Sequence, residues 1–234
     1  MTATKPLYLQ IRDQVRERIR AGVYPLGGLL PTENELAEEF GTTRLTVRNA
    51  MDGLEQDGTV RRIQGKGSFV GLTMNTGGEV PLGFRERTRD QHANASVRIL
   101  RSTVRDAGPY YARMFGIKPE AGLLSLRRLN SKDGVPVILE EVVVPLGLFP
   151  GIEDVDFSVF SLYAYYRLHG HAVEQAYEDL DVIALSARDA RLLGQAEGDP
   201  ALFVDSKSYD ANGLLIENAI GYCVGSEGVY PVYN

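Results

Sequence analysis

Residues 30–70, LPTENELAEEFGTTRLTVRNAMDGLEQDGTVRRIQGKGSFV, leave their part of the chain little conformational choice. Thr32 and Glu35 have the spacing of a capping box one residue after Pro31, which is tolerated just ahead of a helix, so a helix is expected from there to about Phe40. Leu36, Ala37 and Phe40 then share one face, and Gly41 supplies the stop. Thr42 or Thr43 can cap a second helix, whose Val47, Ala50, Met51 and Leu54 recur at the i, i+3, i+4, i+7 spacing of a buried stripe until Gly58 ends it. With that stripe turned to the core, Leu45, Arg48, Asn49 and Asp52 lie opposite, and Arg44 and Thr46 sit in the first turn. Arg44 and Arg48 are one turn apart.

Residues 60–63 and 68–70 read as two short strands joined by Gln64-Gly65-Lys66-Gly67, a basic turn whose glycines allow close approach to another backbone. Exposed arginines on a helix are ordinarily solvated charge. Here cap, turn, second helix and basic hairpin follow one another in the order of a winged helix-turn-helix, whose second helix enters the DNA major groove. The DNA reading is therefore preferred.

These residues resemble the DNA-binding domain of the GntR family of bacterial transcription regulators. The match is carried by Leu30, Pro31, Glu33, Leu36, Ala37, Phe40, Gly41, Arg44, Thr46, Val47, Arg48, Ala50, Leu54, Gly58, Gly65, Gly67, Phe69 and Val70. The resemblance implies a DNA-contacting set of Thr32, Asn34, Thr43, Arg44, Thr46, Arg48, Gln64, Gly65 and Lys66. Asn34 stands where the family usually has an arginine that reads a guanine, and Thr32 replaces the usual capping serine. The first change bears on which operator is read rather than on whether DNA is bound, because phosphate contacts supply most affinity and base contacts supply selectivity.

The net charge of −6 argues against a nucleic-acid binder until it is divided. Residues 1–72 hold ten Lys or Arg and nine Asp or Glu, a balance of +1, so the other residues hold 15 and 22, a balance of −7. Within the first part Arg44, Arg48, Arg61, Arg62 and Lys66 gather where a phosphate backbone would lie, with Glu38, Glu39 and Glu55 expected to face away. No run approaches the roughly 18 apolar residues of a membrane span and no signal-peptide pattern opens the chain, so a cytoplasmic protein is expected. The single cysteine, Cys223, fits a reducing compartment and reads as a small core residue.

Residues 6–21 form a further expected helix, with Leu7, Ile11, Val15 and Ile19 at successive i+4 steps and Arg12, Arg16, Arg18 and Arg20 mostly as solvated charge. Residues 71–81, GLTMNTGGEVP, have linker composition. The expected division is a DNA-binding domain at 1–71, a linker at 72–81 and a second domain at 82–234. In that second domain strand-like segments (97–104, 123–129, 135–144, 172–183, 201–209, 214–222) alternate with short helices (109–115, 158–168, 186–193), and Asp133-Gly134 and Asn212-Gly213 mark hairpins. The expected whole is a mixed α/β protein of two domains, the second an α+β antiparallel sheet with helices on one face.

The second domain resembles the UTRA domain of the HutC subfamily of GntR regulators, a ligand-binding and dimerisation module similar in fold to chorismate lyase. The resemblance rests on Arg128 ahead of Asp133-Gly134, on Pro136, Glu140, Pro145 and Phe149, on Ser161-Leu162-Tyr163, and on Leu193, Pro200 and Glu217. In family members that bind phosphorylated sugars the matching positions line the effector pocket, so the resemblance implies that Arg128, Glu140, Ser161, Tyr163 and Glu217 line one here, with Tyr222 contributing. Arg85, with Arg87 and Arg89, follows the linker and is a candidate to close over an anionic effector, though a solvated charge run is its ordinary meaning. A second arginine expected two residues after Arg128 is Asn130, and an Arg-Gly-Asp near the end is replaced around Val224-Gly225-Ser226. A phosphate prefers a fork of guanidinium donors, so these changes argue against assuming a sugar phosphate. Adjacent Glu140 and Glu141 must point to opposite faces of a strand, and Ser161 serves equally as a helix cap or a pocket group.

Three classes of function follow: a ligand-responsive transcription regulator, an enzyme built on the lyase-like fold, and an effector-independent DNA binder. His92, His169 and His171 lack metal-ligand spacing, and no nucleophile and base pattern is present. The regulator is the expected function, most often a repressor, acting without a cofactor. Its expected partners are a double-stranded palindromic operator, a small-molecule effector (a sugar phosphate or another small metabolite) and a second copy of the chain as a homodimer, with no membrane.

Overall fold

The computed structural model describes residues 6–71 and 95–225. The chain divides into two compact units, an amino-terminal head and a larger body. The linker at 72–81, Arg85, Arg87, Arg89, His92 and Ser226 lie outside the described residues.

The head comprises α1 (Leu7–Arg20), α2 (Glu33–Glu39), α3 (Arg44–Gln56) and a hairpin of β1 (Val60–Ile63) and β2 (Gly67–Val70). The capping box of α2 is formed: the Glu35 amide donates to Thr32 Oγ1 at 3.3 Å, and the Thr32 amide donates to Glu35 Oε2 at 2.7 Å. Thr43 caps α3 by accepting from the Thr46 amide at 3.3 Å. Ile11, Val15, Leu36, Val47, Ala50, Met51 and Leu54 are each at most 1% exposed and make one core. Each large aliphatic residue buried this way contributes about 1.5–3 kcal/mol. This stripe holds α3 with Arg44 and Arg48 outward.

Two arginines of α1, Arg16 and Arg18, depart from the expected solvated charge, while Arg20 keeps it with a side chain 71% exposed. Arg16 pairs with Asp57, while Arg18 pairs with Glu39, donates to the Tyr24 hydroxyl at 3.0 Å and lies 5.3 Å from the centre of the Phe40 ring. Polar residues at i and i+4 intervals give no sign of which neighbouring element they will reach, so these helix-to-helix ties were not legible from periodicity. Gly53 brings α3 close to α1, since a Cβ there would meet Arg12 Cδ at 3.2 Å.

The body is a six-stranded antiparallel sheet in the order β3-β4-β5-β8-β7-β6. Its strands are β3 (Ala95–Asp106), β4 (Gly122–Lys132), β5 (Val135–Pro145), β6 (Val173–Ala184), β7 (Pro200–Asp210) and β8 (Leu215–Cys223), and its helices α4 (Gly108–Phe115), α5 (Leu162–Leu168) and α6 (Ala187–Leu193). Asp133 (φ +50°) and Gly134 (φ +82°) join the Lys132–Val135 pair in a tight hairpin with both turn residues left-handed, the type I′ signature. At the other expected hairpin β7 ends one residue earlier, and β8 begins one residue later, than a two-residue Asn212-Gly213 turn requires. Asp210 closes a longer loop by accepting from the Asn212 and Leu214 amides, each at 2.9 Å.

Helices cover both faces of the sheet, not one as expected. Leu129, Leu139 and Tyr222 face α6, and Leu123 and Val143 face α4, whereas Tyr166 of α5 reaches Glu217 on the opposite face. The cause is legible in the burial of the central strands: Val142, Val143 and Val144 are consecutive and each at most 1% exposed. A strand buried on both sides needs cover on both sides. Helix α5 is shorter than expected, beginning at Leu162 with Ser161 as its cap, because Val159 and Phe160 are buried ahead of it in non-helical chain. Among the described residues no helix is long and apolar enough to cross a membrane.

Candidate functional site

In the head, three arginines from two elements converge on one carboxylate. Arg44 Nε donates to Glu33 Oε2 at 2.9 Å and Arg48 Nη2 to the same oxygen at 3.0 Å, and Arg62 Nη2 of β1 donates to Glu33 Oε1 at 3.3 Å. Arg62 is tied further to Asp52, and to Glu55 at 3.1 Å. The Arg48 hydrogen bonds, then the Arg44 hydrogen bond and the charge of Arg62, hold the Glu33 carboxyl below the usual range against a smaller opposing effect of partial burial. The side chains of Arg44 and Arg48 remain 59% and 48% exposed, against 17% for Glu33. Exposed ion pairs add little stability, so the consequence is orientation: Glu33 sets the direction in which two outward guanidinium groups extend.

The other expected DNA contacts surround this cluster. Asn34 is exposed in the first turn of α2, and Thr32 and Thr43 serve as caps, with the Thr43 and Thr46 hydroxyls 2.9 Å apart. Gln64, Gly65 and Lys66 are exposed at the tip of the hairpin, where Gly65 adopts φ +77° and the Lys66 amide donates to Ile63 O at 3.0 Å. The head thus offers an outward basic helix end beside a projecting basic turn.

In the body, the face of the sheet beneath α5 carries a buried polar cluster. Pairing places Arg128 opposite Glu140, and Glu140 opposite Gly221, across β4, β5 and β8. Arg128 Nε lies 2.9 Å from Glu140 Oε1 as an ion pair of proximity, without an aligned hydrogen bond, and the Asn130 amide donates to the same oxygen. Glu217, paired with Ser208 across β8 and β7, is 3% exposed. Its carboxylate accepts from Tyr166 at 2.7 Å, Ser208 at 3.3 Å and Tyr163 at 3.5 Å. Burial pushes the Glu217 carboxyl upward, with the Tyr166 hydroxyl and the Arg128 charge opposing. The same burial, with Glu217 alongside, raises the Tyr166 hydroxyl well above its ordinary value. Burial disfavours the charged form of Arg128, yet the charges of Glu140 and Glu217 outweigh it and keep the guanidinium protonated.

Of the expected effector residues, Arg128, Glu140, Tyr163 and Glu217 come together on this face. Ser161 sits at the start of the same helix, where its hydroxyl accepts from the Ala164 amide at 3.4 Å. Tyr222 does not join them. It is one residue from Gly221 on a strand and so points to the opposite face, against Phe203 and the α6 cluster. Glu141 also faces away, accepting from Ser125 Oγ at 2.8 Å. Sequence reasoning missed Glu33 and Arg62 as organisers of the head, and Asn130, Tyr166, Ser208 and Gly221 in the body. Alternation along β8 would have set Gly221 beside Glu217 and excluded Tyr222.

Residues 90–227 match the UTRA domain, and residues 7–70 match the bacterial regulatory proteins of the gntR family. The chain is 29% identical over 217 residues to the mannosyl-D-glycerate transport/metabolism system repressor MngR of Escherichia coli, covering 91% of this chain and 89% of that protein. It is 26% identical over 216 residues to the transcriptional repressor NagR of Bacillus subtilis, covering 92% and 88%. Among solved structures, PhnF from Mycobacterium smegmatis superposes with a TM-score of 0.59 at 28% identity, covering 92% of this chain and 94% of that one.

Proposed function

The chain belongs to the GntR family of bacterial regulators and carries a UTRA body, a regulator rather than an enzyme, and on that premise we propose that it is a repressor released from its operator by a small effector. The observation that carries the DNA half is the outward pair Arg44 and Arg48, aligned on Glu33 at the end of a capped helix. In this reading Arg44, Thr46 and Arg48 enter the major groove, while Gly65 and Lys66 set the hairpin against phosphate or the minor groove. Two copies of the chain, joined through bodies at 82–234, present heads at 1–71 to the two halves of a palindromic site. The relatives' names, a mannosyl-D-glycerate system repressor and the repressor NagR, support the sign of regulation.

The effector half rests on the cluster of Arg128, Glu140, Glu217, Tyr163 and Tyr166. Effector bound there biases the pair of heads toward a spacing that no longer fits the half-sites, by preferring one of two pre-existing arrangements. The test is operator release measured by fluorescence anisotropy. Arg128→Ala is expected to keep the wild-type affinity for operator and to lose release by effector. Loss of both together would make Arg128 a structural residue and overturn its assignment.

A further inference from the structure

At 66% exposed, Leu45 is the most water-accessible large apolar side chain among the described residues of the head. A lone surface leucine is ordinary, and its position is what sets this one apart. Val47, Ala50, Met51 and Leu54 mark the inward side of α3, and at about 3.6 residues per turn the positions diametrically opposite are Leu45 and Asp52. Asp52 lies two turns further along the helix and takes Arg62. Leu45 is the second residue of α3, so it stands at the centre of the outward face at the amino-terminal end, the part of a recognition helix that meets base edges.

The groups around it frame that position. Arg44 precedes Leu45 and Arg48 follows one turn on, and both donate to Glu33, at 2.9 and 3.0 Å, along one flank of the face. Asn49 is exposed on the other flank. The cations draw this face toward DNA, but a hydrocarbon side chain has no donor or acceptor with which to join their contacts. In the major groove every base presents polar atoms, and thymine alone adds a methyl group. Over guanine, adenine or cytosine a leucine would strip water from a donor or acceptor and return no partner. Over thymine it buries one apolar group against another.

On the premise that α3 enters the major groove as above, we propose that Leu45 is a base-reading residue that packs on the methyl group of a thymine in each half-site of the operator. Arg44 and Arg48 supply attraction to the duplex and hydrogen bonds to its edges. Leu45 supplies a contact that is indifferent to salt, because it neutralises no phosphate and releases no counterion.

The test begins with a duplex enriched from a random pool by the full chain. Each thymine of that duplex is replaced in turn by uracil, which pairs identically and lacks only the methyl group. Fluorescence anisotropy then gives the affinities of wild type, Leu45→Ala and Leu45→Gln. Alanine and glutamine are good helix formers, so both variants keep α3 at this exposed position. The expected result is a thymine in each half-site whose replacement weakens wild-type binding about threefold, the effect of withdrawing one methyl group from an apolar contact. That factor should hold at every salt concentration and vanish at the same thymine in Leu45→Ala and Leu45→Gln. No thymine with this effect, or a loss undiminished in both variants, would take the role from Leu45 while leaving the enriched operator, and with it the DNA-binding reading, in place. A pool without enrichment would overturn both.

Discussion

Glu33 and Glu217 show how far a carboxylate's role depends on what surrounds it. Glu33 is the first residue of α2, and the Thr32–Glu35 capping box around it marks only a helix start. Its function as the common partner of Arg44, Arg48 and Arg62 depends on three elements meeting, which no local pattern encodes. Glu217 sits among three hydroxyls with its carboxyl pushed up by burial. Because its folded pKa lies above the unfolded one, the native state gains relative stability at low pH and loses it as pH rises through the folded pKa. Glu217→Gln removes that loss while keeping an acceptor for Tyr166. The melting temperature of the variant minus that of wild type should therefore become more positive as pH rises from 5 to 7.5. A pH-independent difference would mean that the buried carboxyl titrates normally.

Elements were legible where one face is buried and caps are explicit. Helices α1, α2 and α3 appear within one residue or so of the expected ends, because the apolar period marks all three and capping side chains agree with it in α2 and α3. The central strands were placed, but their two-sided burial, and hence helices on both faces, was overlooked although the apolar run at 142–144 carried that information. Tyr222 failed as a site residue for a related reason, since strand parity fixes a face more firmly than resemblance does. Gly71 looked like the first residue of a flexible linker. It instead closes the hairpin, donating to Thr59 O at 2.7 Å, and a Cβ on it would fall 2.0 Å from Gly58 O. Since that neighbour is backbone, it cannot swing aside. Gly71→Ala is expected to destabilise the head by about 1–3 kcal/mol or more in chemical denaturation, leaving the body's transition unchanged. A wild-type midpoint for the head would show that the hairpin end is looser than its geometry.

At the scale of the whole molecule, an acidic body and a head of nearly balanced charge divide the labour of sensing and binding. A head with so little net charge cannot rely on a long-range field, so binding must come from a few aligned cations and should carry a modest salt slope. That requirement returns the central claim to α3. The most direct test is selection of random DNA duplexes by the full chain, followed by titration of the enriched duplex with wild type and Arg48→Ala at several salt concentrations. The account predicts two related half-sites in the enriched sequence and at least about a tenfold weaker binding by Arg48→Ala, the cost of about 1–3 kcal/mol expected for one specific arginine. No enrichment over the random pool, or an Arg48→Ala affinity equal to that of wild type, would contradict it.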